Sequence, residues 1–145
     1  MPVQLEEGRS LREGRLTVST PGWTPPKRSW LQKFGDAFRG LYHAVSTEWS
    51  FAAHLPVAAA AVALAAWLGI SPVEWCLVAL SIGGVIAAEV FNTSVESLAR
   101  ALDSGPDQRV KDALDTASAA VLVAVGAAIM VGLVIFGPRL LAVLR

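Results

Sequence analysis

The stretch VIAAEVFNTSVES, residues 85–97, places two glutamates and an asparagine inside an otherwise apolar run. Most of the surrounding residues, from 72 to 95, are Val, Ala, Leu, Ile, Gly or Trp. A run of this length and composition is typical of a helix that crosses a membrane. Because an ionised carboxylate is costly at membrane depth, Glu89 indicates a functional site with a partner rather than a packing position.

The composition agrees with a membrane protein of one domain. The chain has 145 residues, of which 54% are hydrophobic. Its 12 basic and 12 acidic residues cancel, so we expect no nucleic-acid partner. Residues 1–29 are polar, hold no apolar core of a secretory signal, and are predicted to form a disordered tail. The single cysteine, Cys76, is predicted to be a small buried apolar residue.

An amphipathic helix is predicted over residues 30–47, at the start of a domain that runs to residue 145. Large apolar side chains at Trp30, Phe34, Phe38 and Leu41 recur at helical spacing, opposite a face that contains Lys33 and Arg39. Aromatic residues on one side and basic residues on the other favour a helix lying in the membrane surface. The alternative is a helix packed against protein.

Three apolar spans follow, at about residues 51–70, 73–98 and 111–136, which predicts an all-α membrane protein. The first span has 20 residues, enough to cross a hydrocarbon core of ~30 Å. Ser71-Pro72 predicts a tight turn after it, because the residue before proline avoids the helical conformation. Polar RALDSGPDQR, residues 100–109, separates the second and third spans, and GPR, residues 137–139, is predicted to end the third.

Basic residues in the connections predict the orientation. Lys27, Arg28, Lys33 and Arg39 precede the first span, and the second connection also contains basic residues, whereas the turn at residues 71–72 contains none. The positive-inside rule therefore places the N-terminus and the second connection in the cytoplasm and the C-terminus outside. Arg139 and Arg145 near the C-terminus count weakly against this orientation.

Polar side chains gather at the cytoplasmic end of the spans. Glu89, Asn92 and Glu96 are three and four residues apart, so they share one helix face, and Arg100 continues it. At the same depth lie Glu48, Lys111, Asp112 and Asp115. Carboxylates with an amide oxygen suit Mg²⁺, and nearby cations suit phosphate, which together predict a magnesium-nucleotide site beside lipid.

Structural interpretations compete with this one. Glu96 with Arg100, and Lys111 with Asp115, also fit surface ion pairs along a helix. Asp115 also suits the first turn of a helix because of the helix dipole. His54, alone in an alanine-rich span, is interpreted as an interfacial or packed histidine rather than a ligand. Glu89 is the residue that these interpretations explain least well.

Beyond the tail, residues 30–136 resemble the small three-span prokaryotic diacylglycerol and undecaprenol kinases. The resemblance lies in four stretches: EVFNTSVE (89–96), KFGDAFRGL (33–41), EWSFAAH (48–54) and SAAVLVA (118–124). It implies a homotrimer in the bacterial inner membrane, with sites shared between neighbouring chains. It also implies Mg²⁺ as cofactor, ATP as co-substrate, and transfer of the γ-phosphate to a lipid alcohol, either diacylglycerol or undecaprenol.

The same resemblance implies roles for individual residues. Glu89 is expected to be the general base, and Asn92 to orient groups around it. Glu48 and Glu96 are expected to hold the metal. When residues 118–124, SAAVLVA, are aligned with the family motif, Asp115 falls at the position of the catalytic aspartate. In that alignment Leu114 stands where the family has lysine. Lys111, Asp112 and Arg100 are expected to lie towards the nucleotide.

Some positions depart from the family pattern, and two alternatives stay open. Trp49 and Ala52 stand where the first-span motif usually carries arginines, and Arg100 where an aspartate often follows. A non-catalytic or weakly active trimeric relative is therefore one alternative. The other is a small proton-linked transporter that uses Glu89 as a relay. The pattern G-x-x-x-x-G-K-[ST] is absent, so an ATP site here is not of the P-loop type.

Overall fold

Four helices make up the fold of the part described by the computed structural model, residues 28–102 and 107–144. In chain order they are α1 (Trp30–Thr47), α2 (Ser50–Leu68), α3 (Pro72–Leu102) and α4 (Gln108–Val143). Of these, α2, α3 and α4 are long and apolar enough to cross a membrane. The predicted all-α fold with three membrane-length helices is therefore confirmed. The predicted tail lies outside the described residues, apart from residues 28 and 29.

The first helix begins with a reciprocal cap. The backbone N–H of Gln32 donates to Ser29 Oγ at 3.3 Å, and the backbone N–H of Ser29 donates to Gln32 Oε1 at 2.8 Å. Trp30, Phe34 and Phe38 are exposed along one side of α1. This arrangement has the amphipathic form that the sequence predicts, while residence of α1 in the membrane surface stays a prediction.

A cluster of charges occupies the other side of α1. Asp36 forms ion pairs with Arg39, one turn along the helix, and with Arg28, which precedes the helix. Hydrogen bonds from Arg39 and then Arg28 hold the pKa of the Asp36 carboxyl below its usual value. The helix also contacts α3, and its one buried residue among those described is Ala44.

A tight turn joins α2 to α3. Gly69 ends α2 with φ 59° in the left-handed region, which glycine adopts without steric cost. Ser71 and Glu74 then cap α3: the Ser71 N–H donates to Glu74 Oε2 at 2.7 Å, and the Glu74 N–H donates to Ser71 Oγ at 3.4 Å. The turn predicted from Ser71-Pro72 is therefore present, and it makes α2 and α3 neighbours.

The last two helices form the most extensive contact, and α2 packs less extensively on both. A small core of Ala65, Ile70, Val78 and Ile135 lies near the α2–α3 turn. Most other large apolar side chains are exposed, as expected for helices that face lipid or other chains. Cys76 is also exposed, so the prediction that it is buried is wrong.

The fourth helix does not end at GPR. It continues through Pro138 to Val143, past the point at which the sequence predicts that the third span ends. Proline removes one backbone hydrogen bond and crowds the carbonyl one turn earlier. Here Arg139 Nη1 donates to the Ile135 carbonyl oxygen at 2.8 Å, and Arg139 also pairs with Glu74 of α3 at 2.8 Å. These contacts stabilise the helix beyond the proline.

Candidate active site

Glu89 is buried in α3, with 4% of its surface exposed, and both of its carboxylate oxygens contact α2. Ser50 Oγ donates to Oε2 at 3.0 Å, and His54 Nε2 lies 2.8 Å from Oε1. Ser50 and His54 are four residues apart and therefore lie on one face of α2. Phe51, 1% exposed, is buried in the same turn of that helix. The buried carboxylate thus has the polar partners that its burial requires.

Asn92 and Glu96 continue the polar face of α3 along the helix. Asn92 Nδ2 donates to Glu96 Oε1 at 2.8 Å. Ser118 of α4 donates to the Leu114 carbonyl oxygen at 3.0 Å and lies 3.5 Å from Asn92 Oδ1. The Asn92 amide therefore lies between Glu96 and α4, and its hydrogen bond to Glu96 sets its orientation.

Arg100 links the two glutamates that the family resemblance assigns to metal. Its Nη2 donates to Glu48 Oε1 at 3.1 Å, and its Nη1 lies 3.6 Å from Glu96 Oε2. Glu48 lies in the link between α1 and α2, so the guanidinium connects that link to α3. The predicted Glu96–Arg100 ion pair is present, and Glu48 is a further partner that helical spacing does not predict.

These residues border a polar groove of about 270 Å³. Its lining comes from the α1–α2 link and from α2, α3 and α4: Glu48, Trp49, Ser50, Glu89, Asn92, Glu96, Ser118 and Val121. Four of the predicted site residues, Glu48, Glu89, Asn92 and Glu96, thus meet in one place.

An apolar crevice, also of about 270 Å³, lies between α2, α3 and α4. It is lined by small and branched side chains such as Ala61, Val85, Ala128 and Gly132, and His54 also lines it. Glu89 lines the polar groove and contacts His54, which lines the apolar crevice. The two cavities therefore approach each other at this pair of side chains. The Glu89 carboxylate thus borders the polar groove directly and is connected to the apolar crevice through His54.

Comparison with known proteins agrees with this geometry. Residues 35–136 match the model of the prokaryotic diacylglycerol kinase family. The chain belongs to this family. It is also 31% identical over 110 residues to an undecaprenol kinase of Bacillus subtilis (strain 168), covering 76% of this chain and 89% of that protein. Family membership supports a lipid kinase, and with three membrane-length helices it supports an integral membrane protein.

In this family member, the charged residues at the start of α4 do not line the groove. Lys111 and Asp115 are exposed and make no side-chain hydrogen bond or ion pair with any residue that the structure describes. Asp112 accepts a hydrogen bond from Gln108 at 2.7 Å. The less exposed residues of this part of α4 are Val110, Leu114, Ala117 and Val121, so its apolar side packs inward. Within one chain, the predicted α4 residues are therefore separate from the carboxylates of α3.

The donor set at Glu48 and Glu96 fits Mg²⁺ on one condition. Within residues 28–102 and 107–144, no group of three or more His, Cys, Asp or Glu side chains is placed to hold a metal ion. Magnesium is commonly bound by one or two carboxylates, with water and substrate phosphate completing its shell. Glu48 and Glu96 supply such a pair, provided that the Arg100 guanidinium, now between them, moves away.

Sequence reasoning missed three polar residues of this candidate site. Ser50, His54 and Ser118 all contact predicted site residues. The interpretation of His54 as an interfacial or packed histidine overlooks its contact with Glu89. One signal was available: Ser50 and His54 lie four residues apart in a span that otherwise holds almost no polar residues.

Proposed function

We propose that this family member is an ATP-dependent lipid kinase that phosphorylates the hydroxyl of a membrane lipid alcohol. The observation that carries the proposal is the position of Glu89. Its buried carboxylate lines the polar groove, and its partner His54 lines the apolar crevice. A kinase that joins a water-soluble and a lipid substrate needs an acceptor group at such a boundary.

In the proposed reaction, the lipid hydroxyl oxygen forms a bond to the γ-phosphorus of ATP. The bond from that phosphorus to the β–γ bridging oxygen breaks, and ADP leaves with the electron pair. The hydroxyl proton passes to a carboxylate oxygen of Glu89, the proposed general base. Asn92 orients the groups around the base, held in turn by its contacts with Glu96 and Ser118.

Glu48 and Glu96 are the proposed Mg²⁺ ligands, together with phosphate oxygens of ATP. When bound, Mg²⁺ would offset the negative charge of the phosphate groups. Arg100 contacts both glutamates, and its guanidinium is proposed to move from them to a phosphate group of ATP.

The proposed lipid substrate is a polyprenol of the undecaprenol type, with diacylglycerol as the second candidate. The similarity to an undecaprenol kinase over most of both chains supports the first, and the family name supports the second. Both lipids offer a primary hydroxyl at the membrane surface. The hydrocarbon chain of either one is proposed to enter from the side of the apolar crevice.

The proposed assembly is a homotrimer in the bacterial inner membrane, with a cytoplasmic N-terminus. Lys111, Asp112 and Asp115 do not reach the groove of their own chain, which supports a site completed by a neighbouring chain. In that arrangement, Asp115 acts in catalysis, and Lys111 and Asp112 lie near the nucleotide of the neighbour.

Glu89→Gln tests the role of the base. The substitution keeps the shape of the side chain but removes its capacity to take up the proton, so turnover should fall by roughly 10²-fold or more. ATP consumption is measured on detergent-purified protein with undecaprenol or diacylglycerol supplied separately, and ATP binding should stay close to that of the parent.

Glu74→Gln is the matched control, because it makes the same change in the same helix at the end remote from the groove. It should retain most turnover. Parental turnover in Glu89→Gln would contradict the role of Glu89. A parent that phosphorylates neither lipid would favour the non-catalytic alternative.

A further inference from the structure

We propose that His54 is a positioning residue for proton transfer, which holds one oxygen of Glu89 so that the other is presented to the polar groove. The inference rests on the proposed kinase function and adds a residue to it. It starts from the contact of 2.8 Å between His54 Nε2 and Glu89 Oε1.

The two oxygens of Glu89 have different partners on different sides. His54 contacts Oε1 and lines the apolar crevice, whereas Ser50 donates to Oε2 and lines the polar groove. A serine hydroxyl rotates about its C–O bond and can turn to another acceptor. The imidazole ring is rigid, and its N–H direction is fixed by the ring. Oε1 is therefore the anchored oxygen, and Oε2 is the one available for an incoming hydroxyl.

Anchoring matters because the terminal torsion of a glutamate side chain is broad and does not by itself fix the carboxylate plane. Proton transfer requires an acceptor within about 2.6–3.2 Å of the hydroxyl oxygen. A displacement of about 1 Å can lower a rate by about 10²-fold. A ring nitrogen that holds Oε1 removes this freedom before the lipid binds.

Other charged groups near the groove do not supply this anchor. Apart from Glu89 itself, the titratable residues of the α1–α2 link and of α3 that border it are Glu48 and Glu96, and both contact Arg100. From α4, the lining residues are Ser118 and Val121, which carry no charge. Among the described residues, the nitrogen that contacts Glu89 is His54 Nε2, which must donate in this contact because an ionised carboxylate can only accept.

The test compares His54→Leu, which removes the donor but keeps an apolar side chain, with His54→Gln, whose amide can still donate to Oε1. His54→Leu should lower kcat by about 10- to 100-fold with little change in the KM for ATP, because the acceptor is misplaced while the nucleotide site is intact. His54→Gln should recover most of that loss. His43→Leu is the matched control, because His43 is the other histidine of the chain and lies on α1.

A double variant separates positioning from a structural role. In a Glu89→Gln background, His54→Leu should cause little further loss of kcat, because the residue acts through Glu89. Thermal unfolding checks that each variant is folded.

Three results would overturn the inference. One is a folded His54→Leu variant whose kcat equals that of the parent. Another is a His54→Leu substitution that lowers kcat by the same factor in the parent and in the Glu89→Gln background. The third is a His54→Gln variant that folds but is as inactive as Glu89→Gln. This result is decisive even if His54→Leu does not fold. A parent inactive on both lipids would instead refute the kinase proposal, and this inference with it.

Discussion

Arg100 is a basic residue that contacts both of the proposed metal ligands. Its guanidinium stands between Glu48 and Glu96, the two proposed metal ligands, at 3.1 and 3.6 Å. A cation in that position holds the two carboxylates together, and it would compete with a divalent ion for them. The Arg100 side chain is 62% exposed, so the competition is weakened by solvent.

We predict that Arg100→Ala binds Mg²⁺ more tightly in the absence of nucleotide, by roughly two- to fivefold, as expected for loss of an exposed ion pair. In the presence of ATP, its affinity for nucleotide should fall, because a phosphate partner is lost. Calorimetric titration with Mg²⁺, with and without a non-hydrolysable ATP analogue, measures both effects.

Two further variants complete this comparison. Arg109→Ala is the control, because Arg109 pairs with Asp107 and not with the groove. Glu96→Gln should weaken Mg²⁺ binding, since it removes a proposed ligand. Equal Mg²⁺ affinity in the parent, Arg100→Ala and Glu96→Gln would show that Glu96 only pairs with Arg100.

At the scale of the helices, the ion pair of Glu74 and Arg139 bears on the orientation of the protein in the membrane. By the positive-inside rule, a basic residue such as Arg139 near the C-terminus favours a cytoplasmic C-terminus, against the predicted orientation. In the structure, both of its terminal nitrogens reach Glu74 at 2.8 Å, and the pair joins the start of α3 to the end of α4. Much of the Arg139 charge is therefore offset, and the basic residues around α1 and the α3–α4 connection dominate.

We predict that the α2–α3 turn faces outside and that the start of α4 faces the cytoplasm. In a Cys76→Ser background, single cysteines are placed by Ser71→Cys and Gln108→Cys, both at exposed positions. A membrane-impermeant maleimide should label the first in intact spheroplasts and the second only after permeabilisation. The opposite pattern would reverse the orientation.

At the scale of the whole molecule, the separation of Asp115 from the groove predicts a shared site. If Glu89 of one chain works with Asp115 of its neighbour, mixing Glu89→Gln chains with Asp115→Asn chains should restore activity. In trimers formed at random from an equal mixture, an intact site needs an Asp115→Asn chain to supply Glu89 and a Glu89→Gln chain as the neighbour that supplies Asp115. Each position is filled correctly in about half of the cases, so about a quarter of the parental activity should be recovered.

The control for mixing pairs Glu89→Gln with Glu96→Gln. Both residues lie on α3 of one chain and line one groove, so no mixed site regains both, and activity should stay low. Lack of recovery in the Glu89→Gln and Asp115→Asn mixture would place Asp115 outside the shared site or exclude the trimer.

Much of this molecule follows from local features of the sequence. The number of membrane-length helices depends on the apolar length of each span, and the turn before α3 depends on Ser71, Pro72 and a nearby glycine, all of which act within a few residues. Likewise, helical spacing alone puts Glu89, Asn92 and Glu96 on one face. These predictions needed no knowledge of how the helices pack.

The tertiary structure decided which residues from distant parts of the chain meet. Glu89 lies 39 and 35 residues from Ser50 and His54, so its partners depend on how α2 packs against α3. The rotation of α4, whose apolar side packs inward, directs Asp115 away from the groove. The continuation of α4 past Pro138 coincides with contacts from Arg139 to Ile135 and Glu74, the second of which lies 65 residues away. Helical periodicity carries no information about such contacts, because it fixes which residues share a face but not which helix that face meets.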